Sequence, residues 1–191
     1  MNPPEKIIVA VTGASGSIYA RLLLEALLQA DTVTDIALIV SENGREVAKY
    51  EQVKLPVAHP KITRYDNDDL FAPVASGSAR YDAMIVIPCS MGSIGRMAAG
   101  VSLDLIGRAA DVTLKERRPL ILVPREAPYS TIHLRNLLTL SECSAVIMPA
   151  SPAFYALPDG IESLCRSVVE RITSLLGMET LRYCWGKPGK V

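Results

Sequence analysis

The 191-residue sequence has only two histidines, His59 and His133, and four cysteines, Cys89, Cys143, Cys165 and Cys184, which form no Cys-x-x-Cys pair. That scarcity leaves no ready ligand set for zinc, and no metal is expected. An excess charge of one sign is missing too. Twenty basic and twenty acidic residues give a formal net charge of zero, whereas a nucleic-acid binder needs a basic surplus to neutralise phosphates. No apolar run reaches the roughly 18 residues of a membrane span. No basic segment followed by an apolar one opens the chain as a secretory signal would. A cytoplasmic protein with reduced thiols, engaging neither membrane nor nucleic acid, is the expectation. GxxxxGK[ST] does not occur, which disfavours ATP or GTP hydrolysis, and GxGxxG does not occur either.

What is present is a full core. Hydrophobic residues make up 49% of the chain and charged residues 21%, the balance of a globular protein. The length suits one domain over residues 1–191. Lys6–Val11 (KIIVAV) reads as a β-branched strand. Thr12-Gly13-Ala14-Ser15-Gly16-Ser17 follows, and then an apolar helix from Ile18. Strand, glycine-rich turn and helix form an arrangement in which backbone N–H groups at a helix start face an anion. The alternative is a βα turn with no ligand. Asp35–Val40 is a second buried strand, closed by Ser41 as the N-cap of a helix over Glu42–Tyr50, with Glu51 at its end. Residues 56–78 read as a long irregular crossover. Ala83–Pro88 is the third strand, and Cys89-Ser90-Met91-Gly92-Ser93 opens a helix after it. Cys89 reads as a small buried hydrophobe.

The stretch Arg108–Ser130 holds most of the polar chemistry. Arg108, Asp111 and Lys115 share one face of a helix over Leu103–Arg117. Pro119 stops that helix, and Leu120–Val123 is an apolar run of the kind buried on both faces of a parallel sheet. Arg125-Glu126 follows at the strand's carboxyl end, where open parallel sheets bind ligands. A basic helix face and an Arg-Glu pair suit an anionic ligand and a proton to move. A solvated face with a surface ion pair is the competing reading.

Thr131–Leu140 reads as a helix carrying a structural His133, and Ala145–Pro149 as a fifth strand. The proline-punctuated turn after it presents Phe154 and Tyr155, one expected to anchor the loop and one to face a site. A C-terminal helix at about 160–177 carries the stripe Ile161, Leu164, Cys165, Val168, Ile172, Leu175 and Leu176, with Gly177 as its stop and Arg171 at the stripe's edge. Helix and tail, with Trp185, are expected in subunit contacts. Five strands alternating with helices predict a doubly wound parallel sheet with right-handed crossovers. The strand ends at Gly13–Ser15, Ser90–Ser93 and Arg125–Glu126 would meet in one crevice suited to a nucleotide. The missing GxGxxG favours a mononucleotide flavin there.

Four segments together, GASGS from Gly13, PCSMGS from Pro88, RAADVTLKERRPLILVPREAP from Arg108 and PASPAFYALP from Pro149, resemble the flavin prenyltransferases of the UbiX family. The resemblance runs from Lys6 to Trp185 and implies a Rossmann-like or flavodoxin-like three-layer αβα fold with a doubly wound parallel sheet. It implies an enzyme that joins a dimethylallyl group from dimethylallyl phosphate to reduced FMN at N5 and C6. The product, prenylated FMN, is the cofactor of UbiD-type decarboxylases in ubiquinone biosynthesis or aromatic-acid breakdown. Members are typically homododecamers, and most need no metal.

Motif matching implies FMN contacts from Gly13, Ala14, Ser15, Ser41, Ser90, Met91, Gly92, Ser93 and Arg125. The resemblance gives the prenyl phosphate to Lys115, Tyr155 and Arg171, with Arg108 added. Glu126 and Glu51 are the proton-handling candidates, and Ser15 and Lys115 join them in the catalytic set. Gly92 and Ser93 stand where many relatives carry lysine and threonine. The competing readings are an FMN-dependent decarboxylase of the phosphopantothenoylcysteine type, whose PxMNxxMW-like motif is absent, and a non-catalytic flavin carrier.

Overall fold

A computed structural model describes residues 3–178, so Cys184 and Trp185 lie outside the described residues. Six parallel strands form one sheet: β1 (Lys6–Val11), β2 (Asp35–Val40), β3 (Ile62–Tyr65), β4 (Ala83–Cys89), β5 (Leu120–Pro124) and β6 (Val146–Ile147), in the order β3-β2-β1-β4-β5-β6. Six helices accompany them, with none between β3 and β4 and two between β4 and β5: α1 (Ser17–Gln29), α2 (Glu42–Tyr50), α3 (Met91–Ala98), α4 (Leu105–Lys115), α5 (Thr131–Glu142) and α6 (Ile161–Leu175). Strand order reverses direction between β1 and β4, which opens a crevice at their carboxyl ends.

The period of two along each strand builds two cores. Ile7, Val9 and Val11 of β1, with Ile85, Ile87, Ile121 and Val123, face Leu22, Leu23 and Leu27 of α1 and Val168 and Ile172 of α6. The intervening residues Ile8, Ala10, Val86, Leu120 and Leu122 face Ile94, Leu105, Ala109 and Leu137 of α3, α4 and α5. Burying each large side chain contributes about 1.5–3 kcal/mol, and Leu23→Ala would cost about 2–5 kcal/mol by leaving a cavity. This is the expected three-layer doubly wound fold.

The details depart from the sequence reading in five places. The segment read as an irregular crossover contains β3, a four-residue edge strand whose Thr63 and Arg64 are exposed, followed by two short 3₁₀ turns at Pro73–Ala75 and Gly77–Ala79. Edge strands lack the continuous apolar run that marks central ones. The strand expected over Ala145–Pro149 is reduced to Val146–Ile147. Helix α4 starts at Leu105 because the Asp104 side chain caps it, accepting from Gly107 N–H at 2.8 Å. In α6, Ile161 is 75% exposed and Val169 and Thr173 take up buried positions. Phe154 and Tyr155 are both largely exposed, rather than one packed and one facing out. Arg108 does pair with Asp111, at 2.8 Å, whereas Lys115 turns to its neighbour Glu116, at 2.6 Å. His133 caps α5 through its Nδ1, which accepts from Ser130 N–H at 3.2 Å, the structural role expected of it.

Candidate active site

The three strand ends meet as expected. Thr12, the first residue after β1, donates its hydroxyl to the Pro88 carbonyl at 3.0 Å and accepts from Ser90 N–H at 2.8 Å. Arg125, just past β5, donates from Nε to the Ser15 carbonyl at 3.2 Å. The turn after β1 is pressed against α2, where a Cβ on Gly13 would stand 2.6 Å from Cβ of Asn43. Gly16 holds φ at 103°, a left-handed conformation that suits glycine. A hollow of about 860 Å³ opens between these parts, lined by Gly13, Ser15, Tyr50, Glu51 and Arg125 among others. Its size falls in the range of small-molecule sites.

Glu51 is the most constrained polar group there. One carboxylate oxygen accepts from Gly16 N–H at 2.8 Å and the other from Ser17 N–H at 2.7 Å. Burial alone would raise the carboxyl's pKa. The Ser15 hydroxyl and the two backbone N–H groups more than offset that and hold it below the ordinary carboxylate value. Glu51 is therefore an anion at neutral pH, with no proton of its own to supply. This corrects the sequence reading of the α1 start as an open anion cradle, because those N–H groups are already taken. Position in sequence did not reveal it, since Glu51 lies 35 residues from Gly16.

Two other helix starts carry hydroxyl caps. Ser41 accepts from Gly44 N–H at 3.0 Å at the head of α2. Ser90 accepts from Ser93 N–H at 3.3 Å at the head of α3 and lies 3.1 Å from the Ser93 hydroxyl. A cap that accepts from the backbone still has an O–H to donate, so these serines can serve the helix and a ligand oxygen together. The position of a Cβ on Gly92 meets only Arg96 Nη1, at 3.8 Å, so the α3 start is open to close approach. Met91 and Ala14 are buried, which limits Met91's contact with a ligand to its backbone. Cys89 is fully buried, and desolvation pushes its thiol up to about 12 against a smaller opposing pull from Arg96, so it is no nucleophile.

Thr12 and Arg96 were missed in the sequence. Arg96 reaches Asp104 at 3.6 Å and the Ser93 hydroxyl at 3.4 Å, a cation beside the α3 start. The only signal for Thr12 was a β-branched hydroxyl where an apolar strand ends.

The residues assigned to the prenyl phosphate do not come together in one protomer. Glu126 and Tyr155 lie beyond β5 and β6, at the carboxyl edge, and both are exposed. Lys115 ends α4 and therefore lies at the opposite, amino edge of the sheet. The five residues of β5 alone separate the two edges by about 15 Å. Arg171 is exposed on α6, which runs toward the same amino edge, where Leu176 lines one hollow with Pro4, Lys6 and Pro119. Arg108 donates from Nε to the Ala75 carbonyl at 3.1 Å.

A switch-point crevice with hydroxyl-capped helix starts, a guanidinium and an ionised carboxylate is a setting for a nucleotide-sized ligand at the strand ends of an α/β protein. Known proteins agree. The Flavoprotein family model matches residues 1–175. The flavin prenyltransferase UbiX of Methanocaldococcus jannaschii is 43% identical over 95% of this chain and 98% of its own length. The flavin prenyltransferase UbiX of Pseudomonas aeruginosa is 42% identical over 98% and 97%. Among solved structures, the dodecameric FMN-dependent UbiX-like decarboxylase of Escherichia coli O157:H7 superposes with a TM-score of 0.90 at 39% identity, covering 96% of this chain and all of that one. AnUbiX in complex with FMN and dimethylallyl pyrophosphate gives a TM-score of 0.85 at 39% identity, over 95% and 99%. The chain belongs to the Flavoprotein family and, within it, to the UbiX flavin prenyltransferases. Phosphopantothenoylcysteine decarboxylase shares the fold at 18% identity. Among the described residues no helix is long and apolar enough to cross a membrane, and no three His, Cys, Asp or Glu side chains group as metal ligands.

Proposed function

We propose that this protein transfers the dimethylallyl group of dimethylallyl phosphate to reduced FMN, forming bonds at N5 and C6 and releasing phosphate. The observation that carries this reading is the hollow at the carboxyl edge of the sheet between the β1–α1 turn, the end of α2 and the residue after β5, where Ser15, Glu51 and Arg125 face one space. Ser41, Ser90, Ser93 and the backbone of Gly13 and Gly92 bind the flavin in this reading, and Arg125 fixes its edge. The allylic C–O bond breaks with its electron pair leaving on phosphate, so the departing group needs neutralising charge and a proton. Lys115, Arg171 and Tyr155 hold the phosphate, with Arg108 beside them, and Glu126 supplies the proton. Glu51, ionised and next to Ser15, accepts a proton as N5 bonds to the allylic carbon; the bond at C6 consumes the prenyl double bond, whose inner carbon takes up one proton as C6 releases one, so the net proton leaves with the phosphate.

The separation of Lys115 from Glu126 adds a condition. Lys115 can reach a phosphate near Glu126 only if it comes from another copy of the chain, so the working unit is an oligomer, which we take to be a homododecamer. The α6 helix and the tail that follows it serve those contacts. A single flavin-binding domain, cytoplasmic and without a metal, would then hand prenylated FMN to a UbiD-type decarboxylase.

The test is anaerobic incubation with reduced FMN and dimethylallyl phosphate or diphosphate, followed by the mass of the extracted flavin. A gain of one five-carbon unit is expected. Recovery of unmodified FMN with both donors overturns the transferase reading.

A further inference from the structure

In doubly wound sheets with the strand order seen here, a dinucleotide places its pyrophosphate on the amino end of the first helix. In this protein that end is occupied from within. Glu51 crosses from the end of α2, and its two oxygens take the Gly16 and Ser17 N–H groups at 2.8 and 2.7 Å. These are the unsatisfied donors that would face an incoming anion. Gly16, the N-cap, offers no side chain of its own to satisfy them. The contact is held in place because the β1–α1 turn lies against α2 at Gly13 and Asn43. The carboxylate is ionised, so an approaching phosphate would meet a like charge as well as spent donors.

We propose that Glu51 is an internal anion that closes the α1 phosphate site and thereby sets the crevice to accept a flavin mononucleotide and refuse a dinucleotide. The mononucleotide's single phosphate then takes its donors elsewhere on the same edge. This role rests on the crevice being the FMN site, and it adds a selectivity function to a residue otherwise assigned to proton transfer.

The test is titration of the flavin-free protein with FMN and with FAD, followed by flavin fluorescence, for the wild type, Glu51→Gln and Glu51→Ala. Circular dichroism and melting confirm that each variant folds. The wild type is expected to prefer FMN strongly. Glu51→Ala should narrow the FMN-to-FAD ratio by about tenfold or more, through tighter FAD binding, because a helix-end charge is removed and two donors are freed. Inorganic pyrophosphate should raise the melting temperature of Glu51→Ala more than that of the wild type. Glu51→Gln keeps the shape and one acceptor but loses the charge, and should narrow the ratio less. It carries the test if the alanine variant does not fold. An unchanged ratio in a folded variant overturns the proposal. Failure of the wild type to bind FMN at all would instead overturn the assignment of the crevice.

Discussion

Thr12 and Ser90 are joined across the switch point, with Ser90 N–H donating to the Thr12 hydroxyl at 2.8 Å while that hydroxyl donates to the Pro88 carbonyl at 3.0 Å. One side chain just past β1 thus sets the height and direction of the turn that starts α3. Thr12→Val keeps the shape and removes both bonds, leaving a backbone N–H unsatisfied. A loss of about 1–3 kcal/mol in urea unfolding is expected, with weaker FMN binding because Ser90 and Ser93 shift. An unchanged FMN affinity would show that the turn is held by other contacts.

The depressed pKa of Glu51 has a defined signature in stability against pH. Its folded value lies below its unfolded one, so its contribution is fully present above the ordinary carboxylate pKa of about 4.5 and is lost as pH falls through the lower folded value. The stability gap between wild type and Glu51→Gln should stay level from neutral pH down to about pH 5.5 and shrink below that. Urea unfolding at a series of pH values measures it. A gap that widens on acidification would contradict the sign.

The phosphate and proton roles separate kinetically. Lys115→Ala should leave FMN binding intact and raise KM for dimethylallyl phosphate about tenfold or more, since a charge-assisted contact is lost. Glu126→Gln should lower kcat with less effect on KM. Full turnover by Lys115→Ala at low prenyl phosphate, or a wild-type kcat in Glu126→Gln, would remove the respective assignment.

Thiol chemistry is not expected to matter. Cys89 is fully buried with its thiol held in the neutral form, while Cys143 is exposed. Iodoacetamide on the native protein should label Cys143 and spare Cys89, and Cys89→Ala should keep its activity with only a small loss of stability. Inactivation that tracks alkylation of Cys89 would require a different chemistry.

Most of the architecture could be read from the chain because central parallel strands are uniformly apolar. KIIVAV, DIALIV, AMIVIP and LILV declare themselves without reference to partners. β3 does not, because an edge strand with exposed Thr63 and Arg64 lacks that run. On the carboxyl edge, the glycine turn, the serine caps and Arg125 were legible because strand-turn-helix order places them there. Glu51's hold on α1, Thr12's bridge and Arg96 beside Ser93 were not, because each depends on a contact between elements distant in sequence or on the turn of a helix after it starts. The split between Lys115 and Glu126 is instructive in another way. Eleven positions apart and on the same motif, they look like neighbours, yet a whole strand lies between them.

In the proposed oligomer that strand-length separation makes the site a shared possession. If each working site draws one edge from one copy and the opposite edge from another, two inactive proteins can rescue each other. Lys115→Ala and Glu126→Gln, reassembled together at equal amounts, would place an intact lysine opposite an intact glutamate in about a quarter of randomly formed sites. Inheritance of two different broken copies would then be milder than inheritance of either one twice.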